Sequence, residues 1–102
     1  RDDDVASVSA QESRAVKGAV AVSAPTDGVF YRAPAIGAEP YVVVGDRVTT
    51  GQPVGLIEVM KTFNPIAYGG AELPDETEIV EVCAEDGQEV RAGQPLLTVK
   101  RL

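Results

Sequence analysis

The chain has 102 residues, 44% of them hydrophobic, which is enough for one small domain. Its formal net charge of -7 lacks the basic footprint that nucleic acid demands, and the absence of histidine removes the commonest general base and the commonest transition-metal ligand. No apolar stretch is long enough to cross a bilayer as a helix, so no membrane contact is expected; the lone Cys83 forms no internal disulfide, which fits a reducing, cytoplasmic compartment.

Residues 1–22 are rich in Ala, Ser, Asp and Val, contain no aromatic residue and follow no clean period. They are expected to form a flexible N-terminal tail or linker, with room for a short helix within Val5–Val16. Asp2-Asp3-Asp4 reads as bare solvated charge. The chain opens on Arg1 rather than Met, as expected of a piece of a longer protein.

Residues 23–102 have a different character. Short runs rich in Val, Ile, Leu and Tyr alternate with Gly, Pro and Asp, the pattern of a small all-β domain. Strands are expected at Val20–Ser23, Val29–Arg32, Tyr41–Val43, Arg47-Val48, Pro53–Val59, Thr62–Ile66, Ile79–Val82, Glu89-Val90 and Pro95–Lys100. The expected core is Val29, Val42, Val44, Val48, Val54, Leu56, Ile57, Ile66, Ile79, Val82, Val90, Leu96 and Val99. Apolar neighbours Val80 and Val82 predict a packed structural thiol at Cys83. From Glu72 to Glu89 there are eight acids and no base, read as a solvated acidic face or a surface that steers a basic partner.

An internal repeat runs through the domain. Gly45-Asp46-Arg47-Val48-Thr49-Thr50-Gly51-Gln52-Pro53-Val54 matches Gly87-Gln88-Glu89-Val90-Arg91-Ala92-Gly93-Gln94-Pro95-Leu96 at a constant offset. Gly supplies a positive φ, one Val faces inward, and a Gly-Gln-Pro corner turns the chain into the next strand. The repeat predicts a flattened β-barrel or sandwich of two small antiparallel sheets with pseudo-twofold symmetry. One copy leads into the segment around Lys61 and the other into the C-terminus, so a dyad places Lys61 and the chain termini at opposite ends.

Glu58-Val59-Met60-Lys61 lies between two strand-like runs. With Met60 and Lys61 as the central residues of a two-residue hairpin, Val59 pairs with Thr62 and Glu58 with Phe63. Such turns favour Asn-Gly or Asp-Gly, and Met-Lys goes against that preference. A local preference given up marks a candidate functional site. Lysine offers a primary amine on a four-carbon stem, which gives a stable amide and a long tether. An exposed alkylamine is almost wholly protonated near neutral pH, so a separate ligase must supply an activated acyl group.

Glu58-Val59-Met60-Lys61 with Asn64 resembles the attachment motif of biotin carboxyl carrier proteins, Glu-Ala/Val-Met-Lys followed shortly by Asn. Lipoyl domains share the fold but usually place Asp before the acceptor lysine. The resemblance spans residues 23–101 and includes Ala24-Pro25 and Gly28-Val29-Phe30-Tyr31-Arg32. It implies a biotinyl/lipoyl "barrel-sandwich hybrid" that is not itself an enzyme, with covalent biotin on Lys61 and with Glu58, Val59 and Met60 shaping recognition. The implied partners are a biotin protein ligase, a biotin carboxylase and a carboxyltransferase. Together they move a carboxyl group from bicarbonate to an acyl-CoA, with acetyl-CoA giving malonyl-CoA for fatty-acid synthesis. Ala33-Pro34-Ala35-Ile36-Gly37-Ala38-Glu39-Pro40-Tyr41 is similar to the protruding "thumb" of carriers from bacterial and plastid-type acetyl-CoA carboxylase. The thumb of those relatives lies near the biotin.

The chain also departs from that pattern. Thr62 stands where Met is common, Pro65 lies inside a strand, and the connection Ala67–Glu76 is long. Thr77-Glu78 replaces the customary Gly before Ile79-Val80. A lipoyl carrier of a 2-oxo-acid dehydrogenase or glycine-cleavage complex, and an unmodified biotinyl-like scaffold, are the alternative readings.

Overall fold

The computed structural model describes residues 18–70 and 73–102. Most of the expected tail, with the Val5–Val16 segment and Asp2-Asp3-Asp4, lies outside them. The described residues form eight strands and no helix: β1 (Val20–Ser23), β2 (Gly28–Tyr31), β3 (Arg47–Thr49), β4 (Pro53–Val59), β5 (Thr62–Ala67), β6 (Glu76–Val82), β7 (Gln88–Val90) and β8 (Pro95–Arg101). β1 pairs with β8 from Val20↔Val99 onward, so the sheet starts ahead of the 22/23 boundary drawn from composition.

Two antiparallel four-stranded sheets result, in the orders β1-β8-β6-β3 and β5-β4-β2-β7. The sequence repeat equates β3 with β7 and β4 with β8. The two orders then coincide strand for strand, with β6 matching β2 and β1 matching β5. The turns repeat their side-chain hydrogen bonds. Asp46 Oδ2 accepts from Val43 N at 2.9 Å, and Gln88 Oε1 accepts from Glu85 N at 2.8 Å. Gln52 Oε1 accepts from Thr49 N, and Gln94 Oε1 from Arg91 N. Gly51 and Gly93 take φ of 96° and 87° at the two Gly-Gln-Pro corners, where a side chain is strained.

The pairing register skips Val54 in β4 and Leu96 in β8. A bulge of this kind sets two residues against one and breaks the two-residue alternation. Val54-Gly55 and Leu96-Leu97 are accordingly buried as consecutive pairs.

The core comprises Val22, Ala24, Phe30, Val42, Val48, Val54, Ile57, Ile66, Tyr68, Ile79, Ala84, Val90, Leu96, Leu97 and Val99. Several expectations change. Tyr41–Val43 is not a strand, because the Val43 amide is taken by Asp46 Oδ2 and the Val43 carbonyl accepts from Asp46 N. Val44 sits in the middle of that turn and is 61% exposed. Cys83 is exposed: Cys83 N and Ala84 N both donate to Leu96 O as β6 ends, and Ala84 is the residue that enters the core. Val29 and Leu56 lie half-buried on the outer sheet face, while Phe30 and Ile57, the next residues along, point inward. Val82 is half-buried and packs against the core rim.

Candidate functional site

β4 and β5 form the hairpin expected around Lys61. The ladder runs Leu56↔Pro65, Ile57↔Asn64, Glu58↔Phe63 and Val59↔Thr62, which leaves Met60 and Lys61 as the two loop residues. Their φ values are 51° and 65°, and among the described residues they alone combine a side chain with positive φ. Two consecutive positive φ values are what a type I′ turn requires, because only that hand of turn matches the right-handed twist of the strands. Met60 is 92% exposed, and Lys61 is exposed beside it. β5 is an edge strand, which is why Pro65 is tolerated there: its missing N–H removes no ladder bond from a further strand. Asn64 Nδ2 donates to Thr62 O at 3.4 Å and braces the first turn of that strand.

Glu58 and Val59 are half-buried in the stem of the hairpin. Val59 packs against the core rim and Glu58 lies on the outer face. Tyr31 Oη donates to Glu58 Oε1 at 2.9 Å. The Tyr31 ring lies against Phe63, with centroids 5.8 Å apart and planes at 50°. The bond to the Glu58 carboxylate, then burial, raises the Tyr31 pKa above its ordinary value.

The thumb, residues 33–40, is clasped at its base by Arg32. Arg32 N donates to Asp86 Oδ1 at 2.7 Å, Arg32 O accepts from Tyr41 N, and the guanidinium donates to Val42 O at 3.0 Å. At the tip, Ala38 N donates to Ala35 O and Gly37 takes φ of 83°, which leaves Ile36 fully exposed. Between the thumb and the outer sheet face runs a groove of about 500 Å³, floored by Tyr31, Leu56 and Phe63, with Arg32 and Asp86 on its wall. The structure therefore brings Glu58 and the thumb together through Tyr31 and Phe63. The sequence pairs Phe63 with Glu58 across the hairpin and counts Asp86 among the eight acids, but places neither of them, nor Tyr31, at the site, because the Tyr31–Glu58 and Arg32–Asp86 contacts are long-range.

The long connection after β5 is also accounted for. Tyr68 is buried and donates from Oη to Pro74 O at 2.7 Å, and Thr50 N donates to Asp75 O. Tyr68 and Asp75 thus both bond to the Gly51 corner.

Residues 20–99 match the family model described as "biotin-requiring enzyme", the biotin–lipoyl family. The chain is 40% identical over 79 residues to the biotin carboxyl carrier protein of acetyl-CoA carboxylase from Nostoc sp., covering 78% of this chain and 41% of that one. It is 41% identical over 78 residues to the chloroplastic biotin carboxyl carrier protein of acetyl-CoA carboxylase 2 from Arabidopsis thaliana, covering 76% and 29%. The chain therefore spans less than half the length of these relatives. A solved single-chain, multi-domain long-chain acyl-CoA carboxylase superposes with a TM-score of 0.69 at 26% identity, covering 92% of this chain and 8% of that one. With the matched residues running from the first strand into the last, and the sheets and hairpin in place, the chain belongs to the biotin–lipoyl family of biotin-requiring enzymes.

Proposed function

We propose that Lys61 is the residue on which biotin is carried, and that the domain is a biotin carboxyl carrier serving a biotin carboxylase and a carboxyltransferase. The hairpin tip is the observation that supports this. Two side-chain-bearing residues hold a backbone conformation that disfavours them, on a rigid two-stranded stem, with the amine at the apex. Strain of this kind persists where it is used.

A separate biotin protein ligase activates the biotin carboxyl group with ATP. Lys61 Nζ attacks its carbonyl carbon, the amide bond forms, the acyl–oxygen bond to the nucleotide phosphate breaks, the nucleotide leaves and the amine proton passes to solvent. Once attached, biotin supplies a ureido nitrogen that takes up and releases a carboxyl group. The stem of the hairpin holds the point of attachment, and Glu58, Val59 and Met60 present it. The thumb groove offers an apolar surface that reaches the hairpin stem at Phe63, with Pro34–Pro40 as its outer wall. The names of the similar carriers support acetyl-CoA as the acyl acceptor, giving malonyl-CoA for fatty-acid synthesis. The proposed setting is the cytoplasm.

The test is intact mass and streptavidin binding after co-expression with a biotin protein ligase and excess biotin, with Lys61→Arg as control. One biotinyl increment, absent from the variant, is expected. A folded chain that takes up lipoate instead, or nothing, would overturn the assignment.

A further inference from the structure

Glu58 lies one ladder pair below Val59↔Thr62, directly opposite Phe63. Tyr31 lies opposite Leu56 on the adjacent strand, so its phenol reaches Glu58 diagonally along the outer face. The ring is fixed at two points, by the Phe63 ring and by the Glu58 carboxylate. Three strands, β2, β4 and β5, are thereby tied by side chains immediately beneath the Lys61 turn. A glutamate on an outer sheet face otherwise samples many rotamers, and a partner that reads it must fix it on binding.

We propose that Tyr31 is a positioning residue for the modification of Lys61: held by Phe63, its hydroxyl fixes the Glu58 carboxylate in the orientation that the modifying ligase reads. The inference rests on the carrier reading above. Only one carboxylate oxygen takes the phenol proton, and a carboxylate has a second oxygen for a donor on the partner. A tyrosine hydroxyl keeps its proton, and so remains a donor, across the neutral range. The phenol also floors the thumb groove, so its position couples the groove to the hairpin stem.

Steady-state kinetics of biotinylation, with the carrier as varied substrate, test this. Tyr31→Phe keeps the ring and removes the donor. It is expected to raise KM for the carrier by about five- to tenfold with kcat unchanged, the effect of having to fix one freed side chain on binding. In a Glu58→Ala background the same change is expected to have no further effect. Phe63→Leu, which loosens the ring while keeping the hydroxyl, is expected to raise KM by a smaller factor. Melting temperatures of the variants separate recognition from folding. An unchanged KM in Tyr31→Phe, or an equal rise with and without Glu58, overturns the proposal. A wild-type chain that is never modified overturns the carrier reading itself, a result distinct from a modified chain indifferent to Tyr31.

Discussion

Gly55 abuts the Phe30 ring so closely that a Cβ on it would lie 2.5 Å from Phe30 Cε1. The equivalent pair in the other sheet is Leu97 and Ile79. The two halves thus fill the same space in opposite ways, an aromatic ring over a glycine in one and a branched aliphatic beside leucine in the other. Gly55→Ala is therefore expected to destabilise the domain by about 1–3 kcal/mol through overpacking. Phe30→Leu in the same chain should recover part of that loss. Urea unfolding of the two single variants and the double variant measures the coupling.

Thr77 is fully buried, and its Oγ1 has no hydrogen-bond partner among the described residues. It occupies the place in β6 that Gly28 occupies in β2. Thr77→Val keeps the shape and removes the orphaned hydroxyl, and is expected to stabilise the fold by about 1 kcal/mol. The denaturation midpoint should rise at constant m-value.

Met60 is the first loop residue of the type I′ turn, at φ of 51°. Asn tolerates this region far better than Met. Met60→Asn is expected to raise stability by about 0.5–1 kcal/mol and, by removing a side chain that is 92% exposed at the tip, to slow the proposed biotinylation of Lys61. Thermal melting and streptavidin capture on one sample show whether stability and modification move in opposite directions.

The Tyr31–Glu58 bond has a defined pH window. The folded-state pKa of Tyr31 is raised above 10.0, first by the bond to Glu58. A raised value favours the neutral phenol in the folded state. The contribution is therefore fully present below the ionisation of an unfolded tyrosine, and is lost as pH rises through the folded value. Ultraviolet titration, with Tyr31→Phe as the difference reference, should show Tyr31 ionising above its ordinary range. Glu58→Ala should bring it back.

Much of the frame is legible along the chain because its determinants are local. Pro53–Val59 emerges at its expected bounds, since a Gly-Gln-Pro corner starts it and a two-residue turn ends it. The repeated corners foretell two matching sheets because the same short-range hydrogen bonds recur at Gln52 and Gln94. Where the reading missed, a hydrogen bond had redirected the chain, from a turn at Val43 and from a distant strand at Cys83. Val44 reads as core until Asp46 folds back on Val43, and Cys83 reads as buried until the Leu96 carbonyl draws in both amides at the end of β6.

The sequence by itself determined eight of its nine expected strands, the duplicated corner, the hairpin register and the lysine at its tip, because turn chemistry and alternation act over a few residues. Only the tertiary structure decided which face each side chain takes at the bulges, and what meets the hairpin stem and the base of the thumb. Tyr31 meets Glu58 across 27 positions and Asp86 meets Arg32 across 54. Contacts of that span are set by which strands pair and in what register, and no local pattern encodes them.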